Sequence, residues 1–225
     1  MNAMILAAGR GERMRPLTDH VPKPLLPVQG QPLIVHLIKR LRQSGIRHIV
    51  INHAHLGEQF LEKLGDGRCY DVHIQFSPEP PSGLETAGGI RHALGFLGKS
   101  PFLVINGDIW CDYDFSALIS KDPDGLAHLV MVDNPPHHPE GDFGLEEQRI
   151  NLKTGKRYTY SGIGIFRPEL FQPPFMFSNG RVPLRNVLIQ AIKENRITGE
   201  FYNGVWFDIG TEQRLQQLRE YLHGC

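Results

Sequence analysis

The segment from Met4 to Thr18 constrains the fold of this chain more than any other stretch of it. Five apolar residues, MILAA at positions 4–8, are followed directly by a loop that contains Gly9 and Gly11. A short apolar run that ends in glycines is typical of a buried strand followed by a tight loop. Backbone without Cβ atoms can approach phosphate oxygens closely. The segment therefore predicts a strand that leads into a phosphate-binding loop.

Basic side chains follow these glycines at short intervals. Arg13 and Arg15 place positive charge beside the exposed N–H groups of the loop, and a polyphosphate needs donors and positive potential together. Lys23 lies between Pro22 and Pro24, which stiffen the backbone on either side of it. Its ammonium is a compact charge suited to one phosphoryl group. We therefore expect a site for a nucleoside triphosphate.

Two other glycine motifs do not fit this loop. A dinucleotide-binding loop has a third glycine where this chain has Met14, and it opens a helix where this chain reaches Pro16. The phosphate loop G-x-x-x-x-G-K-[ST] does not occur in the sequence. The glycines alone still leave open a simple turn after a strand, with two solvated arginines.

The longer pattern decides between these readings. The letters GRGERMRPLT at 9–18, followed by PKP at 22–24, resemble the signature of the sugar-phosphate nucleotidyltransferases, which make nucleotide sugars. The resemblance implies that the chain takes a nucleoside triphosphate and a sugar-1-phosphate as substrates. It also implies the Rossmann-like α/β fold of the nucleotide-diphospho-sugar transferase type.

Composition permits this interpretation and excludes others. The 225 residues include 24 Lys and Arg and 24 Asp and Glu, so no overall basic field attracts nucleic acid or an anionic membrane. No run of about 18 apolar residues could span a bilayer, and the N-terminus lacks a signal segment, so cytoplasm is the expected location. The three cysteines are widely separated, as in reduced thiols. We expect a monomer or a small homo-oligomer.

Apolar strands alternate with amphipathic helices along the chain, which predicts one α/β domain over 1–225 with a mostly parallel sheet and helices on both faces. The predicted strands are 4–8, 46–52, 72–76, 101–106, 127–132, 161–166 and 205–209. The predicted helices run from Pro32 to Gly45 and over 56–64, 85–97, 182–193 and 212–221. We expect an irregular excursion over 135–158, with a hairpin at 152–155.

A second group of candidate residues lies at Asn106 and Asp108, where an apolar strand ends. Ligands of open α/β sheets gather at such strand ends, although a lone Asp there is often a turn former. The family resemblance implies that Asp108 and Asp208, the latter in WFDIGT at 206–211, hold Mg²⁺. Oxygen ligands are those that Mg²⁺ prefers. Capping of the last helix is assigned to Thr211 instead of Asp208.

A third segment, EPPSGLETAGG at 79–89, resembles the part of the family that surrounds the base and ribose. Glu79 is expected to meet the base edge. Glu85 stands where many relatives have glycine, and its side chain takes up room, so we expect a pyrimidine base and UTP as the donor. The complete set of expected nucleotide-binding residues is Leu6, Ala7, Ala8, Gly9, Gly11, Arg13, Lys23, Glu79, Glu85, Gly88 and Asn106.

For catalysis, the resemblance implies that Arg15 holds the leaving pyrophosphate and Lys23 steadies the α-phosphorus. Within the family, the whole chain resembles bacterial uridylyltransferases of cell-wall recycling, whose acceptor sugar carries a carboxylate. The sugar phosphate is expected at Gly144, Ser161 and Gly162, and the carboxylate at one of His137, His138, Arg149 or Lys156.

Three enzymatic alternatives remain open at this point: mannose-1-phosphate guanylyltransferases, glucose-1-phosphate nucleotidyltransferases and phosphocholine cytidylyltransferases. A non-catalytic nucleotide-sugar sensor is a fourth reading, but the chain retains the charged residues that such a protein would have lost.

Overall fold

A computed structural model describes residues 1–153, 155–176 and 180–224 of the chain. Nine of its strands form one large sheet, and the others form two small ladders. The strands within these ranges are β1 Ala3–Leu6, β2 Pro27–Val28, β3 Gln31–Pro32, β4 His48–His53, β5 His73–Pro78, β6 Phe102–Asn106, β7 Ile109–Cys111, β8 Ala127–Val132, β9 Phe143–Glu146, β10 Arg149–Asn151, β11 Arg157–Phe166, β12 Ile197–Phe201 and β13 Trp206–Asp208.

The helices follow the apolar periodicity of the sequence. The α-helices in the described ranges are α1 Leu33–Gln43, α2 Glu58–Leu64, α3 Glu85–Leu97, α4 Phe115–Ile119, α5 Leu184–Lys193 and α6 Glu212–His223. Thr211 caps α6 as expected, since its side chain accepts a hydrogen bond from the backbone N–H of Arg214. None of these helices is long and apolar enough to cross a membrane.

The large sheet has the strand order β5-β4-β1-β6-β11-β8-β12-β10-β9. The strands β5, β4, β1 and β6 are parallel to one another, as the sequence predicts. Beyond them the sheet is mixed, because β11 runs antiparallel to both β6 and β8. In the parallel part, Leu6 is in register with Asn52 on one side and Asn106 on the other, so three strand ends open at the same edge.

Apolar side chains cover both faces of the sheet, which confirms the predicted α/β class. One buried cluster joins the sheet to α1, α2 and α4, with Leu37, Phe60 and Phe115 fully buried. The other joins it to α3 and α5 through Ile90 and Leu188. A third, smaller cluster packs α6 against the N-terminal loop.

The structure differs from the predicted elements mainly after residue 107. The short elements β2, β3, β7, α4 and β12 were not predicted, because they are too brief to show a clear period. The predicted irregular excursion over 135–158 contains β9, β10 and the start of β11. The hairpin lies between β9 and β10, where Glu147 and Gln148 both have positive φ angles of 45° and 64°. The hairpin predicted at 152–155 was therefore misplaced. The segment 152–155 lies between β10 and β11, and β11 pairs with β9. Thr154 lies outside the described residues.

Candidate active site

A cavity of about 360 Å³ opens where β1, β4 and β6 end. The expected residues that line it are Leu6, Ala7, Ala8, Gly9, Lys23, Glu79, Glu85, Asn106 and Asp108. Sequence reasoning missed five further polar residues of its wall: Arg10, Asn52, Ser82, Thr86 and Arg181. The position of Asn52 at the end of a parallel strand could have revealed it by the rule that revealed Asn106.

Glu79 is buried in the wall of this cavity, and its carboxylate braces the backbone on both sides. One oxygen accepts a hydrogen bond from Asn52 Nδ2 at 2.6 Å, and the other accepts from the backbone N–H of Leu84 at 2.8 Å. Asn52 in turn accepts from the backbone N–H of Ala7 at 2.8 Å. The network ties the loop before α3 to β4 and β1, which form the floor of the cavity.

Gly88, in the first turn of α3, permits a close contact. A Cβ atom on Gly88 would lie 2.4 Å from the carbonyl oxygen of Gly180, so this residue packs against the 180–182 segment and does not line the cavity. The backbone N–H groups of Ala87 and Gly88 both donate to the carbonyl of Val182, at 2.9 and 3.2 Å. The segment that carries Arg181 is thereby fixed to the first turn of α3.

Glu85 begins α3 in an unusual conformation. Its φ angle is 61°, in the left-handed region that residues with a Cβ enter at a cost of about 1–2 kcal/mol. Glycine would adopt this conformation without that cost. The Glu85 carboxylate accepts a hydrogen bond from the Arg181 guanidinium at 3.0 Å, and both side chains are partly exposed at the cavity mouth.

Lys23 and Asp108 form an ion pair inside the cavity. The Lys23 ammonium lies 2.6 Å from Asp108 Oδ2, and only 11% of its side chain is exposed. The lysine begins a short 3-10 turn over Lys23–Leu25 that follows Pro22. A shielded cation is thus held where β6 ends, beside the glycine loop.

Asp208 is brought to the same region by a small ladder. The strands β7 and β13 are antiparallel, with Asp208 opposite Ile109, and the backbone N–H of Ile209 donates to the carbonyl of Asp108 at 2.8 Å. The Asp208 carboxylate accepts from Arg214 Nη1 at 2.5 Å and contacts His137 Nε2 at 3.2 Å. Asp108 therefore lies directly before β7, beside the end of β13 that carries Asp208, and each carboxylate now pairs with a cation.

The chemistry of these two side chains suits Mg²⁺. Carboxylate oxygens are hard donors, and Mg²⁺ commonly takes one or two of them together with substrate phosphates and water. Nowhere in the described ranges do three His, Cys, Asp or Glu side chains group closely enough to hold an ion on their own. Two carboxylates match the number of protein ligands that Mg²⁺ commonly takes when substrate phosphates complete its shell.

The two arginines of the N-terminal loop point in different directions. The Arg13 guanidinium approaches Gly210, where a Cβ would lie 3.0 Å from Arg13 Nη2 and 2.2 Å from Arg214 Nη2. Arg15 pairs with Asp19 at 3.2 Å and is more than half exposed. Neither arginine lines the cavity. Arg13 lies near Arg214, the partner of Asp208, whereas Arg15 does not.

Gly11 shapes the loop that carries both arginines. It has a φ angle of 66°, and its carbonyl accepts a hydrogen bond from the Thr18 hydroxyl at 2.8 Å. A Cβ at Gly11 would lie 2.8 Å from Thr18 Cγ2. Gly11 therefore closes the loop and is not part of the cavity wall.

Comparison with known proteins places this geometry in a family. The model of the nucleotidyl transferase family matches residues 2–223. This chain belongs to the nucleotidyl transferase family.

The chain is 51% identical to the N-acetylmuramate alpha-1-phosphate uridylyltransferase of Neisseria meningitidis serogroup B, over 97% of each chain. It is 31% identical to a mannose-1-phosphate guanyltransferase of Hypocrea jecorina, over its whole length and 63% of that protein. A crystal structure from Bacillus anthracis, provisionally named a glucose-1-phosphate thymidylyltransferase, superimposes with a TM-score of 0.86. That structure is 23% identical, over 100% of this chain and 96% of the other, and shows the shared fold.

The residues that we expected at the sugar phosphate of this nucleotidyl transferase have structural partners. The Ser161 hydroxyl donates to the carbonyl of Val130 at 2.7 Å, in the irregular part of β11. Gly162, with a φ angle of 81°, lies against Asn106, which a Cβ would approach to 2.4 Å. Gly144 makes room for Asn151 within the ladder of β9 and β10. Only Gly162 directly contacts a residue of the cavity wall.

The four candidates for the acceptor carboxylate are dispersed. His137 reaches Asp208 and Arg214, and His138 lies 3.4 Å from Asp142. Arg149 pairs with Asp124 at 2.5 Å, and the Lys156 ammonium lies 4.7 Å from the centre of the Tyr158 ring. Of these, only His137 contacts an expected metal ligand, Asp208.

Proposed function

We propose that the chain transfers UMP from UTP to N-acetylmuramate α-1-phosphate, giving the UDP-sugar and pyrophosphate. The observation that carries the proposal is the 51% identity, over 97% of both chains, to a uridylyltransferase of that specificity. The cavity supports it, because a shielded lysine, a glycine loop and a carboxylate meet at the strand ends.

This reaction makes modest chemical demands on the protein. The acceptor phosphate is already largely ionised near neutral pH, so no general base has to remove a proton. Catalysis then consists of alignment and stabilisation of charge on the α-phosphate. In our proposal the Lys23 ammonium, now 2.6 Å from Asp108, donates to the α-phosphate oxygens as negative charge grows there.

Asp108 and Asp208 would hold Mg²⁺ in this scheme. When bound, the metal would neutralise phosphate charge and orient the two reacting phosphates. The Lys23 and Arg214 side chains would then give up their present aspartate partners and could face the substrate phosphates. Arg13 or Arg15 would hold the departing pyrophosphate.

We further propose a role in cell-wall recycling in the cytoplasm, as a monomer or a small homo-oligomer. The balanced charge gives the chain no general attraction to nucleic acid or to an anionic membrane, so its partners in this proposal are small molecules.

Pyrophosphate release tests the proposal when it is measured over a grid of four nucleoside triphosphates and several sugar-1-phosphates with Mg²⁺. We expect the highest kcat/KM for UTP with N-acetylmuramate α-1-phosphate. A preference for GTP with mannose-1-phosphate, or for CTP with phosphocholine, would replace the proposed substrates while leaving the reaction type. No release with any pair would favour the non-catalytic sensor.

A further inference from the structure

Glu79 lines the cavity, but its carboxylate already accepts hydrogen bonds from within the protein. Both carboxylate oxygens of Glu79 are used within the protein, by Asn52 and by the backbone of Leu84. Gly89 packs directly against the Glu79 carboxylate, since a Cβ there would lie 2.3 Å from Glu79 Oε1. A buried carboxylate held from two sides is a brace, and releasing it would leave those donors unpaired.

The cavity mouth offers a different pair of polar groups. Glu85 and Arg181 both line it, 3.0 Å apart, and both remain partly exposed. Their backbones are fixed to each other, because Val182 N–H donates to the carbonyl of Leu84 at 3.0 Å. Glu85 is held in the left-handed region, where glycine would be easier to accommodate. Strain of this kind at the wall of a site is often retained for function.

We propose that Glu85 and Arg181 select the base of the nucleoside triphosphate. This inference rests on the proposed uridylyltransferase function. The Glu85 carboxylate accepts a hydrogen bond from uracil N3–H, and the Arg181 guanidinium donates to an adjoining carbonyl oxygen of the base. Cytosine presents a lone pair at N3, which the carboxylate repels. Guanine presents an N–H donor as uracil does, but the Glu85 side chain takes up the room that a purine needs.

Two variants of Glu85 test separately its two proposed roles, the hydrogen bond to the base and the exclusion of a purine by bulk. Glu85→Gln keeps the size of the side chain but can turn its amide to donate to cytosine N3. It should lower the preference for UTP over CTP by about tenfold or more, and leave the preference over GTP unchanged. Glu85→Gly removes the bulk and should lower the preference for UTP over GTP by a similar factor. Arg181→Gln should raise KM for UTP with little change in kcat.

The experiment measures kcat/KM for UTP, CTP and GTP by pyrophosphate release, and UTP binding by calorimetry without the sugar phosphate. Glu146→Gln is the control, because it removes an exposed glutamate that pairs with Lys153 in the β9–β10 hairpin. Wild-type preference for UTP together with unchanged base ratios in both Glu85 variants would overturn the inference alone. A wild-type enzyme that prefers another nucleotide would overturn the proposed function, and the uracil contacts with it.

Discussion

The Cα atom of Gly89 lies directly against the carboxylate of Glu79, with no room between them for a methyl group. Gly89→Ala should therefore destabilise the fold by about 1–3 kcal/mol, the usual range for overpacking a buried site. Gly95→Ala is the matched control, because Gly95 lies in the same helix with no atom near its Cβ position. That change should stabilise the helix by up to about 1 kcal/mol.

Urea denaturation of both variants measures this difference. If Gly89→Ala were as stable as Gly95→Ala, the brace formed by Glu79 would be flexible enough to move, and its role in shaping the cavity would have to be abandoned.

Asp108→Asn and Asp208→Asn should each lower turnover by several orders of magnitude, because the proposed reaction depends on a metal that both carboxylates share. Their folds should persist, since asparagine keeps the shape of the side chain. Turnover is measured at saturating Mg²⁺, beside Asp71→Asn, which removes a charge from an exposed ion pair with Arg42. Near-native turnover in either active-site variant would refute the two-aspartate site.

Lys23→Ala should slow the chemical step by about 10²–10³, because it removes a shielded charge next to the reacting phosphate. Single-turnover measurements separate this step from nucleotide binding. An equal loss in nucleotide affinity, with an unchanged chemical step, would show that Lys23 acts only in binding.

Arg13→Ala and Arg15→Ala compare the two arginines of the loop. The sequence-based prediction gives pyrophosphate to Arg15, while the structure places Arg13 nearer to Asp208 and Arg214. We expect Arg13→Ala to weaken UTP binding more strongly, by about tenfold or more, since charged hydrogen bonds contribute about 1.5–3 kcal/mol. A larger effect from Arg15→Ala would restore the original assignment.

Glu85→Gly should also make the protein more stable, even though it impairs base selection. Relief of the left-handed strain outweighs the entropy that glycine adds to the unfolded chain, for a net gain of up to about 1 kcal/mol. In a chain of this size that is a rise in Tm of about 2–4 °C. A lower Tm would mean that the ion pair with Arg181 stabilises the fold more than the strain costs.

Glu200, which does not line the cavity, makes the stability of the fold depend on pH. Its carboxylate accepts hydrogen bonds from His128, Lys121 and Tyr113, and these, His128 foremost, lower its pKa to about 2. A depressed pKa stabilises the fold above the unfolded value near 4.5, and this contribution is lost as pH falls through about 2.

Glu200→Gln should therefore lower the free energy of unfolding at pH 7 by on the order of 1 kcal/mol, since the carboxylate is partly exposed. The difference in the free energy of unfolding between wild type and Glu200→Gln should shrink as the pH falls from 4.5 to 2. Thermal melts at pH 7, 4.5 and 3 measure it, and a gap that stays constant with pH would contradict the proposed linkage.

The sequence predicted those parts of the site that lie at the ends of its parallel strands. Asn106 and Asp108 follow an apolar run, and such ends meet at one edge of a sheet whatever the loops do. The partners of Glu79 could not be predicted, because they depend on how β4 and the loop before α3 meet. Arg181 carries no periodic signal, and only its backbone bonds to α3 bring it to the cavity mouth.

The pairing of β7 with β13 also determines the stage of folding at which the proposed site is complete. Asp108 and Asp208 are about 100 residues apart in the sequence, and this short ladder joins the segments that carry them. Contacts between such distant positions form slowly, after the loop between them has closed. During synthesis the glycine loop, Lys23 and Asp108 emerge well before Asp208 does. A growing chain would therefore fold its nucleotide pocket first, and under the proposed mechanism it would become catalytically competent only when β13 docks.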